Sequence, residues 1–164
     1  MAGGSIWASG KRSRVLTRQK ILLMLAIMVM LGGAVSCSGS TAPATQELAM
    51  APMAQMSVEV QQAPVAVQQA YQFAAANADL LKHIACYCGC NKLGHKSNYD
   101  CYIAGQDAAG QLTFSTHALG CTICVDITHD AMRLRREGQS TAAIRDFIDT
   151  TYAKYGPANR ALVE

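Results

Sequence analysis

Apolar positions recur with a helical period in three stretches of the chain. In residues 65–84, VAVQQAYQFAAANADLLKHI, Val67, Tyr71, Ala74, Leu81 and Ile84 fall roughly on one stripe. The alanine content favours helix, and Pro64 suits its start. This helix is expected to run into a cysteine cluster and to stop near Gly89. Residues 117–137, HALGCTICVDITHDAMRLRRE, predict a second helix, with Ser115 or Thr116 as N-cap. Arg133, Arg135 and Arg136 complement the dipole at its C-terminal end, a solvated helix end, and Gly138 follows as the residue that stops it. A third helix starts at Ser140 as N-cap, turns Ile144, Phe147, Ile148, Thr151 and Tyr155 toward a core, and ends at Gly156-Pro157. Residues 91–116 have no helical period. There Tyr102-Ile103 and Leu112-Thr113-Phe114 are expected to pair as a short β-hairpin across Gly105–Gly110. The pattern predicts a mainly α fold: a small three-helix domain over 64–157 with an irregular cysteine-rich crossover, followed by a short tail, 158–164.

The pattern upstream is different in kind. Residues 1–20 hold Lys11, Arg12, Arg14, Arg18 and Lys20 and no acid, and residues 21–35 are uncharged and apolar. A basic start, an apolar run too short to span a bilayer comfortably and small residues at its end predict a secretory signal over 1–36. The ending Ala34-Val35-Ser36-Cys37 resembles a bacterial lipobox, although Ala34 stands where Leu is more usual. That resemblance implies cleavage before Cys37 and a diacylglycerol, with fatty chains such as palmitate, on its thiol. The protein is then expected at the extracytoplasmic face of the cell membrane, anchored by lipid. No twin arginine is present, which points to general secretion of an unfolded chain. Residues 37–63, rich in small residues, Gln and Pro, read as a flexible tether.

Charge changes the picture once the signal is set aside. Of fourteen Lys and Arg, five lie in residues 1–36 and none of the eleven acids do, so the remainder is slightly acidic, nine bases against eleven acids. Nothing in it argues for nucleic acid as a partner.

Six of the seven cysteines fall between Cys86 and Cys124: Cys86, Cys88, Cys90, Cys101, Cys121 and Cys124. Cysteines two apart bond each other with difficulty, but they can share a metal if the backbone curls, which Gly89 permits. In His117-Ala-Leu-Gly-Cys121-Thr-Ile-Cys124 the spacing i, i+4, i+7 places an imidazole and two thiols on one helical face, continued by Thr128 and Met132. The helix N-terminus favours thiolate, the form that binds metal or attacks disulfides. Three readings stand. Six extracytoplasmic cysteines can form three structural disulfides, with fifteen pairings open. Thiolates with one or two histidines suit a soft ion, Cu(I), Zn(II) or Hg(II). The Cys121-x-x-Cys124 pair can exchange disulfides, although the βαβ context of a thioredoxin-like fold is missing. Met50, Met53 and Met56, spaced by three, offer thioethers as auxiliary ligands, as does Met132.

Other side chains read more plainly. His95 stands between a structural loop residue and a ligand. His83 reads as a surface or capping residue, and His129 as an exposed residue facing away from the thiols. Covalent haem needs His after the second cysteine of the C-x-x-C, where Val125 stands. Cluster assembly in the cytoplasm and the missing twin arginine speak against iron–sulfur. No Ser/His/Asp or paired-carboxylate arrangement supports hydrolysis, so no enzyme activity is expected.

The residues Ala85-Cys-Tyr-Cys-Gly-Cys90, Gly94-His-Lys-Ser-Asn98, Cys101 and His117-Ala-Leu-Gly-Cys-Thr-Ile-Cys-Val-Asp126 are similar to the bacterial PCYCGC-motif proteins, with Tyr71-Gln-Phe and Tyr155-Gly-Pro157 similar too. The resemblance covers roughly residues 65–157. It implies an exported protein, often a lipoprotein, in which the six cysteines act together with His95 and His117 beside them. It implies no activity. Ala85 replaces the motif's Pro, so the first helix is expected to continue into the cluster, and Gln106–Thr116 is long for the family. The reading favoured is a lipoprotein that binds a soft metal, Cu(I) ahead of Zn(II), through Cys86, Cys88, Cys90, Cys101, Cys121, Cys124, His117 and His95, and holds the ion or passes it between donor and acceptor proteins. The alternative is a disulfide-stapled binding module without metal.

Overall fold

Proline and asparagine set the limits of the first long helix. The computed structural model describes residues 45–159, which belong to one compact unit of the chain. The signal expected over 1–36, the lipidation site Cys37, the first part of the tether and residues 160–164 lie outside the described residues, as does the side chain of Cys90. Helix α1 is the single turn Val58–Gln61, and α2 spans Val65–Ala76 behind Pro64 as N-cap. Its buried face is Ala70, Tyr71, Phe73 and Ala74. Asn77 ends it: its amide donates to the Phe73 carbonyl at 2.8 Å, an alternative to continued helix. One further turn, α3, covers Ala78–Leu81 and buries Leu80 and Leu81. The predicted single helix over 65–84 is therefore two helices. It stops before the cysteines instead of continuing to Gly89, although Ala85 stands where the motif has Pro.

The crossover contains 3-10 turns at Cys90–Leu93 and Tyr99–Cys101, then the expected hairpin. Strands β1, Ile103–Gln106, and β2, Leu112–Phe114, pair antiparallel with Ile103 opposite Phe114 and an irregularity between Ile103 and Gly105. Asp107 builds the turn by accepting from Ala109 N at 2.9 Å and Gln111 N at 2.8 Å. A 3-10 turn at His117–Gly120 leads to α4, Thr122–Arg136, and then to α5, Thr141–Tyr152. Ser140 caps α5 as expected, its hydroxyl accepting from Ala143 N. Gly138, at φ 79°, stops the chain after α4.

Helix α4 packs against both α2 and α5. The core between them holds Tyr71, Phe73, Leu81, Ile84, Tyr102, Ile127, Ile144 and Ile148, each fully buried. Burying each such side chain stabilises by about 1.5–3 kcal/mol before entropy is counted. On α5, Tyr152 takes the core position expected of Thr151 and Tyr155, while Phe147 and Tyr155 are exposed. Tyr152 donates to Asp130 at 2.8 Å and ties α5 to α4.

The expected domain limits need correction at both ends. Residues 46–63, read as tether, lie along the domain. Ala51 N donates to Gln72 O at 3.0 Å, Gln72 Nε2 returns a bond to Ala51 O at 2.8 Å, and Gln46 N donates to Arg136 O at 2.9 Å. Met56 and Val60 are buried. The segment has no core of its own; it borrows one, through a few spaced apolar side chains and glutamine amides that satisfy its backbone. At the other end Asn159, assigned to the tail, is buried. Among the described residues no helix is long and apolar enough to cross a membrane.

Candidate metal centre

Four segments meet at one point and bring five thiols and the imidazole of His117 together, with His95, from the loop between the turns Cys90–Leu93 and Tyr99–Cys101, beside them. The loop after α3 supplies Cys86 and Cys88, the turn Tyr99–Cys101 supplies Cys101, the turn His117–Gly120 supplies His117, and the start of α4 supplies Cys121 and Cys124. Sulfur–sulfur separations are 3.2 Å for Cys86–Cys88, 3.3 Å for Cys86–Cys124, 3.4 Å for Cys88–Cys124 and 3.1 Å for Cys121–Cys124. His117 Nε2 lies 3.5 Å from Cys88 Sγ. Among the described residues three sets have all donor atoms within 4.8 Å of one another: Cys86, Cys88, Cys101, Cys124; Cys88, His117, Cys121, Cys124; and His95, Cys101, His117. Thiolates ligating one ion at about 2.3 Å stand about 3.8 Å apart at the tetrahedral angle. The close sulfur pairs, at 3.1 Å to 3.4 Å, are somewhat tighter than that while each set as a whole stays within 4.8 Å, so small side-chain shifts suffice and the Cys/His cluster can hold a metal.

The local fold explains why they converge. The chain turns out of α3 at Lys82, and Ile84 O accepts from Asn98 N at 2.7 Å. Cys86 is then held on both sides by Asn159, whose Oδ1 accepts from Cys86 N at 2.6 Å and whose own N donates to Cys86 O at 3.0 Å. Asn159 Nδ2 also donates to Ser97 O at 3.2 Å, joining the two sides of the cysteine loop. Between the cysteines Tyr87 is buried and donates to Asp149 of α5 at 2.7 Å. Gly89, at φ 77°, supplies the left-handed turn after Cys88, as the sequence suggested.

Cys124 is fixed from beneath by buried polar groups. Its carbonyl accepts from Tyr102 Oη at 2.8 Å, Thr128 Oγ1 at 3.1 Å and Asn98 Nδ2 at 3.2 Å, and Thr128 Oγ1 lies 2.7 Å from both Asn98 Oδ1 and Tyr102 Oη. Asn98, Tyr102 and Thr128 are fully buried. A closed polar network of this kind rigidifies what it touches.

His117 reaches the site by another route than the expected helical face. The chain over His117–Gly120 is a 3-10 turn, and Cys121, with extended φ −119° and ψ 96°, is the N-cap of α4 in place of Ser115 or Thr116. Gly120, a poor helix residue, lies at the break. Cys121 and Cys124 consequently sit at the N-cap and in the first turn of a long helix, where the backbone N–H groups favour negative charge.

The thiols do not ionise alike. Contact with Cys101 above all, then with Cys121, Cys124 and Cys86, pushes the Cys88 thiol far below the ordinary range. Cys124 gains from Cys101, but Cys121, Cys86 and Cys88 outweigh this and hold it protonated. Burial, and next the neighbouring His117, lower the pKa of His95 and favour its neutral, ligating form. The two rings stand edge to face, 5.1 Å between centroids. His95 Nδ1 is buried without a hydrogen-bond partner.

The remaining sequence-derived residues fall elsewhere. His83 is exposed. His129 is half-buried, its Nε2 2.9 Å from Ala66 O. The methionines are separated: Met56 is in the core, Met53 packs against it, and Met50 lines a surface pocket with Met132 and His129. Asn98, Tyr102, Thr128 and Asn159 escaped sequence reasoning as positioning residues. Only Thr128 carried a signal, its place on the α4 face that bears Cys121 and Cys124.

Fold and site define a class: a small, mainly helical domain built around a cysteine–histidine cluster able to hold a metal ion. The chain belongs to the family described as protein of unknown function with PCYCGC motif, whose model matches residues 36–161. No curated protein and no solved structure matches the chain.

Proposed function

We propose that this protein is a membrane-tethered extracytoplasmic lipoprotein that holds a soft metal ion, Cu(I) ahead of Zn(II), and passes it on without catalysing a reaction. The observation that carries the reading is the convergence of Cys86, Cys88, Cys101, Cys121 and Cys124 with His117. A disulfide scaffold needs paired thiols. Here Cys124 lies within 3.4 Å of three other sulfurs, so no single pairing is specified, whereas one ion satisfies several sulfurs at once. Sulfur-rich, partly histidine coordination suits the soft ions Cu(I) and Zn(II) alike; Cu(I) is placed first for the expected extracytoplasmic lipoprotein setting and not for the methionines, which the fold separates. The location rests on the basic start, the apolar run and Cys37.

Native mass spectrometry of the full chain, purified in detergent without added metal, tests the reading. Stoichiometric copper or zinc, lost on denaturation, is expected. A mass six hydrogens below the reduced chain, without metal before or after reduction and copper addition, replaces it with the disulfide-stapled module. A single reversible bridge between Cys121 and Cys124, 3.1 Å apart at the helix start, would favour thiol exchange instead. Cys37→Ser is expected to move the protein from the lipid-labelled membrane fraction.

A further inference from the structure

We infer that the centre is binuclear, with two ions sharing the sulfurs of Cys88 and Cys124; the inference rests on the metal-holding reading above. Two four-donor sets lie in the cluster, Cys86, Cys88, Cys101, Cys124 and Cys88, His117, Cys121, Cys124. They have Cys88 and Cys124 in common. Both sets can be filled together only if those two sulfurs each bind both ions, which a thiolate, with three lone pairs, does readily. Cys86 and Cys101 are then the end ligands of one ion, and Cys121 and His117 those of the other.

Three features favour two ions over one. A single ion in either set leaves two donors of the other unused, and in the second case these are the fully buried Cys86 and Cys101. A metal deprotonates only the thiols that bind it; four thiolates around one Cu(I) leave negative charge in a partly buried site, and a second cation on the two shared sulfurs offsets part of it. The bridging pair is also the right size. With sulfurs 3.4 Å apart and metal–sulfur bonds of about 2.3 Å, the ions lie about 3 Å from one another across the shared edge. The set His95, Cys101, His117 takes one ligand from each ion, and the buried Nδ1 of His95 has no other hydrogen-bond partner. His95 is therefore placed as a spare ligand beside both sets.

The test loads the reduced full chain in detergent, under anaerobic conditions, with tetrakis(acetonitrile)copper(I) against a competing chelator, and in parallel with zinc sulfate. Expected are two ions per chain at saturation with either metal and a metal–metal distance of about 3 Å in X-ray absorption. Cys88→Ser and Cys124→Ser should each lose both ions, whereas Cys121→Ser should lose one. Circular dichroism of each metal-free variant establishes that it is folded, and the wild-type stoichiometry and scattering stand without the variants. One ion at saturation, or two without a metal–metal vector and with Cys88→Ser losing only one, overturns the binuclear inference while leaving a metal-holding protein. No uptake of either metal by fully reduced protein overturns both.

Discussion

Asn159 shows how one side chain can fix a ligand from the far end of the chain. The oxygen of its side-chain amide accepts from Cys86 N and the nitrogen donates to Ser97 O, and its partner Cys86 is 73 positions away. Asn159→Ala leaves a buried N–H and a buried carbonyl without those partners. Each costs about 1–3 kcal/mol, so urea unfolding of the reduced, metal-free protein should show a loss of roughly 2–6 kcal/mol. Copper affinity should fall as well, because the Cys86 backbone is no longer pinned. An unchanged midpoint and affinity would remove Asn159 from the site. Thr128→Val tests the other support: it keeps the shape of the side chain and deletes the hydroxyl that Asn98, Tyr102 and Cys124 share. A comparable destabilisation is expected, with the burial of the remaining groups unchanged. At this scale the ligand types were legible and their supports were not. Cysteine and histidine announce themselves by chemistry and spacing. Asn98, Tyr102 and Asn159 are single polar residues in irregular segments, and nothing local marks which of them will be buried against a carbonyl 22 or more positions distant.

Among the elements, the start of α5 was read closely because its signals are local, a serine cap followed by Ile144 and Ile148, whereas its end was not: the helix stops at Tyr152, before the glycine expected to end it. The cap can be removed without touching the cluster. Ser140→Ala should cost about 1 kcal/mol of stability and leave metal uptake unchanged, since the lost bond is an exposed one to Ala143 N. Equal uptake with a lowered urea midpoint is the expected pair of readings, and altered stoichiometry would contradict it. The segment before α2 was misread for the opposite reason. Its apolar residues are few, and the surface that receives them, Gln72 and the α2 face, is made elsewhere in the chain. Met56 is nearly fully buried, so Met56→Ala should destabilise by about 2–5 kcal/mol, a cost foreign to a solvated tether. The broken helix at His117–Cys121 belongs here too. Period alone joins those residues to α4, while Gly120 and the extended Cys121 separate them. His117 still arrives at the thiols because the whole turn packs there.

At the scale of the molecule, the site joins α2, the hairpin, α4 and the chain end, so its chemistry and its stability are linked. The link runs through tyrosines as well as thiols. Tyr71 donates to Ser115 O at 2.6 Å and meets Tyr102 edge to face, with centroids 4.9 Å apart, and Tyr102 donates to the Cys124 carbonyl. Burial raises both phenols above their ordinary value of about 10, and the hydrogen bond of Tyr102 to Thr128 opposes this only in part. A raised folded-state pKa means that the folded protein keeps a proton the unfolded chain gives up. The stability contributed is therefore complete below about pH 10 and is lost as pH rises from there toward the folded pKa values. Alkaline titration of reduced, metal-free protein should show these two phenols ionising together with loss of helical circular dichroism, not ahead of it. Tyr102→Phe should remove one of the delayed phenols, leaving Tyr71, Tyr99 and Tyr152, and make the alkaline transition less steep. Tyrosinate formed reversibly by all six tyrosines near pH 10, with the helical signal intact, would mean that Tyr71 and Tyr102 are not held as the structure places them.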